Sequence, residues 1–126
     1  MKSYTDLEQS KKLAEILPPE SADMAYCYTK KGDKLVYPIP IHLTSTPTNT
    51  FKYLYCWSLA ALSEFILSYI ADDDGNNYKF YLSKDSLDRW IAYYKSDVSI
   101  HICEESDNMI DVILEMVCWL KKEEYI

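Results

Sequence analysis

The chain has 126 residues, a formal net charge of −7, two glycines and four cysteines. A chain this long suits one compact domain that buries roughly two-thirds of its unfolded surface, and with nearly half its residues apolar it is not of a disordered type. Two glycines argue against glycine-rich phosphate loops. The acidic balance falls on one half, seven Lys against six Asp/Glu in 1–63 but six Lys/Arg against fourteen Asp/Glu in 64–126, which disfavours contact with phosphate backbones.

The opening residues MKSYTDLEQS hold no apolar core of signal-peptide length. Thr5 followed by Glu8 has the spacing of a capping box. Leu13, Ile16 and Leu17, with Leu7 at the edge, make an apolar stripe, so the spacing predicts a helix that Pro18 and Pro19 stop. Alternating residues over 24–29 predict a strand, 30–33 a turn, and 34–39 a returning strand held to a sheet edge by Pro38 and Pro40. Residues 43–50 read as a loop. An apolar run over 57–70 predicts the central helix, with Ser58 as its N-cap. The string Asp72-Asp73-Asp74-Gly75-Asn76-Asn77 is expected to form a turn. Strands are expected over 78–82, 89–94 and 98–102, the last with Val98, Ile100 and Ile102 on the core side and His101 away from it. A final helix, capped by Ser106 or Asp107, carries the stripe Ile110, Ile113, Leu114, Val117 and Leu120. The order α-β-β-α-β-β-β-α predicts a single α+β domain over 1–126, a mostly antiparallel sheet covered by helices on one face.

No group of residues converges on catalysis. The DDDGNN string fails as a calcium loop, because Ile70 and Tyr81 fall where oxygen ligands are required. His42 and His101 show no metal-ligand spacing, so neither a metal nor a cofactor is expected. Cys27, Cys56, Cys103 and Cys118 form no CxxC pair and read as reduced thiols among apolar neighbours. Cys103 with His101 is the one thiol pair a small thiol-dependent enzyme could use, yet Glu104 and Glu105 would raise its thiol pKa. The run 57–70 is too short and too polar to span a bilayer, so a cytoplasmic protein with no membrane partner is expected.

Tyrosine is over-abundant, with twelve residues. It suits a half-buried sheet surface, and it also supplies rigid contact area at interfaces. Tyr81, Trp90 and Tyr93 are therefore the candidate binding residues. The predicted function is a small binding or accessory protein that contacts another protein or itself, with no nucleic acid expected. One alternative is an acidic immunity or inhibitor protein that meets a basic target through Asp72, Asp73, Asp74 and residues 104–107. The other is the thiol enzyme.

Three blocks, YTDLEQSKKLAEILPPESADM at 4–24, CWSLAAL at 56–62 and DNMIDVILEMVCWLKK at 107–122, resemble a group of small proteins from gut-anaerobe genomes and their mobile elements. The group has no assigned function and no catalytic motif to carry over. The resemblance implies a bacterial or phage origin, a cytoplasmic setting and a standalone domain.

Overall fold

The computed structural model describes residues 2–29, 38–40, 51–102 and 105–126. Helices and antiparallel sheets share the chain, so the α+β class holds. The chain packs as two compact units, Ser3–Ala61 and Leu62–Ile126, the latter joined by Lys2. Each unit holds its own sheet, where the sequence predicts one sheet in all.

In the first unit, α1 (Leu7–Ala14) starts one residue later than the sequence predicts. Asp6 is the N-cap: its carboxylate accepts from the Gln9 amide at 2.8 Å, and the Gln9 side chain accepts from the Asp6 amide at 3.0 Å. The predicted cap residue, Thr5, is fully buried and already engaged. Its hydroxyl oxygen accepts from the Trp57 amide at 3.1 Å and lies 2.8 Å from the Ser10 hydroxyl. α1 ends at Ala14 with Glu15 as its C-cap, several residues before the predicted proline stop. Of the predicted stripe, Leu13 is buried within the helix, while half-buried Ile16 and buried Leu17 follow it. Pro18 then leads into a single 3₁₀ turn over Pro19–Ser21, and β1 (Met24–Thr29) follows. β2 (Ile39–Pro40) pairs antiparallel with it at the sheet edge, where a proline without an N–H is tolerated.

The sequence assigns no element to β3 (Phe51–Cys56), which pairs with β1 along its whole length, from Met24↔Cys56 to Thr29↔Phe51. FKYLYC is rich in strand formers. No turn residue separates it from the apolar run that follows, so no boundary marks it. The turn over 30–33, most of the strand over 34–39, the loop over 43–50, His42, Cys103 and Glu104 lie outside the described residues.

The predicted helix over 57–70 shortens to α2 (Leu59–Ser63). Ser58 does accept from the Ala61 amide at 3.1 Å, as its predicted capping role requires. Beyond Ser63 the chain turns and extends as β4 (Tyr69–Ala71), paired with β5 (Asn77–Lys84). A short apolar run satisfies either period, and here strand pairing decides. Between β4 and β5, Asp72 accepts from the amides of Asp74 and Asn76 at 3.0 and 2.8 Å, and Gly75 takes φ +83°, which glycine adopts without strain. β6 (Trp90–Lys95) and β7 (Ile100–Ile102) complete an antiparallel meander in the order β4-β5-β6-β7.

One face of this second sheet is covered by α3 (Met109–Lys122), whose Val112, Met116 and Leu120 pack with Ile70, Ala92 and Tyr94. All five predicted stripe residues of α3 are buried. Neither predicted cap is used: Asn108 takes the N-cap position, and the Ser106 hydroxyl instead donates to Asp111 at 3.2 Å. The predicted core face of the last strand is reversed. Val98 and Ile100 are 72% and 48% exposed, while the register Tyr94↔His101 turns His101 to the covered side.

Candidate functional site: the open face of the four-stranded sheet

Directly opposed residues of an antiparallel sheet share a face. The pairings Phe80↔Tyr94, Leu82↔Ala92 and Lys84↔Trp90 therefore place those side chains toward α3. The pairings Tyr69↔Lys79↔Lys95↔Ile100 and Tyr81↔Tyr93 place theirs on the opposite, open face.

This divides the three predicted binding residues. Tyr81 and Tyr93 meet across β5 and β6, their rings stacked at 5.1 Å with 13° between planes. Trp90 is on the other face, half-buried against the α3 core, with the Lys84 ammonium 5.0 Å from its ring centre. Tyr93 is three strand positions on from Trp90, an odd step, and odd steps change face.

Around the stacked pair the open face carries Tyr69, 63% exposed, and the exposed Lys79 and Lys95. Tyr81 is itself 38% exposed. The Lys79 ammonium sits 5.6 Å from the Tyr81 ring centre. Lys79 and Lys95 are direct cross-strand partners, and neither forms an ion pair among the described residues. Two like charges facing each other destabilise a sheet, so their pairing adds nothing to folding. Beside them is a hollow of about 330 Å³ lined by Asn77, Lys79, Tyr81, Lys95, Ser96 and Asp97. The arrangement offers flat aromatic surface next to two cations. It suits anionic groups flanked by apolar or planar ones.

Tyr69 escapes sequence reasoning because it falls inside the predicted helix. Its alternation with Ala71 is the only local sign that it belongs to a strand. The residues of the alternative readings are placed differently. His101 stacks on Trp119 at 3.9 Å, and burial pushes its pKa below the ordinary 6.5, against the opposing pull of Glu115 and Glu123. Its suggested partner Cys103 is outside the described residues. The Cys56 thiol is pushed up, by burial first, and the half-buried Cys27 thiol is raised by burial as well. Of the acids offered to a basic target, Glu105 bridges Arg89 at 3.0 Å and Asp72 is engaged in its own turn.

Among the described residues, no three His, Cys, Asp or Glu side chains group as a metal site, and no helix is long and apolar enough to cross a membrane. Comparisons with protein-family models, curated proteins and solved structures found no match to this chain.

Proposed function

We propose that this chain is a binding protein, an accessory factor of a bacterial mobile element, whose open sheet face docks an acidic segment of another protein. The observation that carries this reading is the stacked Tyr81–Tyr93 pair beside the mutually opposed Lys79 and Lys95, which form no ion pair among the described residues. Tyrosine contributes rigid contact area with little entropy to lose. Two lysines held together against their own repulsion gain from an arriving carboxylate. A protein partner is favoured over a nucleic acid because fourteen Asp/Glu against six Lys/Arg in 64–126 set a repulsive field for a polyanion. Two carboxylates can still be accepted locally.

The test is selection of displayed peptides on the wild-type chain, with counter-selection on the Tyr81→Ala/Tyr93→Ala double variant. Enriched peptides should carry Asp or Glu beside apolar residues and lose at least tenfold in affinity for the double variant, while its circular dichroism and melting stay close to wild type. Equal enrichment on both chains would sink this face as the docking site. Tighter capture of a single-stranded oligonucleotide through the same tyrosines would replace the protein partner with a stacking platform. A wild-type dimer that the double variant loses would make the partner a second copy.

A further inference from the structure

In the same unit, a separate, half-open hollow of about 130 Å³ at the sheet end is lined by Ile70, Asp72, Tyr78, His101, Trp119 and Tyr125, with Ser99 and Ile100 at its β7 side. It is smaller than the ~300–1,000 Å³ of sites that enclose a whole organic ligand, so it suits a head group. Its walls are aromatic: Trp119 and Tyr125 lie 5.6 Å apart, and His101 backs Trp119 from a stacked position at 3.9 Å. Its charge is negative. The Asp72 carboxylate is held ionised, with its pKa below the ordinary carboxylate value chiefly by hydrogen bonds from Asn76. The Tyr125 phenol is raised, by burial first and then by the nearby charges of Asp72, Asp73 and Glu123.

The geometry points to a binding site for a quaternary, trimethylammonium-type cation, set between the Tyr78, Trp119 and Tyr125 rings and the Asp72 carboxylate. Aromatic faces attract such a cation through their quadrupole, and a nearby carboxylate adds a direct Coulomb attraction. The hydrogen bonding explains why the cation is quaternary. Asp72 already accepts from the Asp74 amide, the Asn76 amide, the Asn76 side chain and the Tyr78 hydroxyl, at 2.8–3.1 Å. The Tyr78 hydroxyl is also 2.6 Å from the Ser99 hydroxyl. A primary ammonium brings three donors and finds the acceptors of this wall already taken. A trimethylammonium donates nothing and needs only the field and the ring faces.

Two sources carry this head: a free betaine- or choline-like molecule, and a trimethylated lysine side chain of another protein. The experiment titrates the whole 126-residue chain with tetramethylammonium, choline, a trimethyllysine peptide, its unmethylated twin and ammonium, following the indole signal of Trp119 and the ring signals of His101 and Tyr125 by NMR. Saturable shifts confined to the cavity residues are expected from the three trimethylated probes. Ammonium and the unmethylated peptide should bind at least about tenfold more weakly. Choline matching the peptide assigns a small molecule, and a much tighter peptide assigns the modified side chain. Tyr125→Leu and Asp72→Asn should each weaken tetramethylammonium by about three- to tenfold. The wild-type shift map stands even where a variant unfolds. Absence of saturable cavity shifts with all three trimethylated probes, or equal affinity for ammonium, would overturn the proposal.

Discussion

His101 shows how one residue's placement turns into a measurable property. Burial among Trp119 and its neighbours depresses its pKa below 6.5, and Glu115 and Glu123 oppose that only in part. With the folded-state pKa below the unfolded one, the unfolded chain binds more protons between the two values, so stability rises with pH across that interval. The contribution is therefore fully present above about pH 6.5 and is lost as pH falls through the folded-state value. His101→Phe keeps a ring against Trp119 and removes the titration. Urea midpoints measured from pH 7 down to pH 5 should fall more steeply for wild type than for this variant. Parallel curves would show that the ring is as well solvated in the folded chain as in the unfolded one.

Among the elements, α1 and β3 are joined by one buried side chain. The Thr5 hydroxyl links the Trp57 amide, Ser10 and the Cys56 thiol, while the Thr5 carbonyl accepts from Tyr26 at 3.1 Å and from the Cys56 thiol at 3.2 Å. Thr5→Val keeps the shape and strands a buried amide, a loss of about 1–3 kcal/mol. A chemical-denaturation midpoint should record that destabilisation, and an unchanged midpoint would mean water replaces the hydroxyl. The same cluster explains why the predicted cap at Thr5 fails. Spacing shows that a Thr could cap, but the bond it makes instead reaches a residue 52 positions away. The helix predicted over 57–70 fails for a related reason. Ile66, Tyr69 and Ile70 suit a helical face, yet β5 offers Tyr69–Ala71 a ladder that no local pattern reveals.

For the whole molecule, charge separates the docking readings. The chain carries −7 overall, but the open face presents Lys79 and Lys95. Binding that uses only these two cations should weaken by less than about tenfold between about 50 and about 200 mM salt, whereas a nucleic acid gripped at six to ten phosphates loses about a thousandfold or more. Titrating a selected acidic peptide across that range checks the partner class, and a steep slope would count against a two-lysine contact. The candidate site was half legible in the sequence. Tyr81 and Tyr93 follow from strand alternation, but Trp90 lies an odd step from Tyr93 and lands on the core face.

What the sequence determined by itself is local in origin: the α+β class, a first helix beginning near Leu7, a turn after Ala71, the meander of β5, β6 and β7, and the buried stripe of α3. Each is written in a period, a cap or a turn residue within a few positions. Only the tertiary structure decided that the strands form two sheets, that β4 replaces half a helix, that His101 turns inward, and that Tyr69, Lys79 and Lys95 surround the tyrosine pair. These depend on strand pairing and register, which bring together residues distant in sequence, and a one-residue slip in register exchanges the two faces.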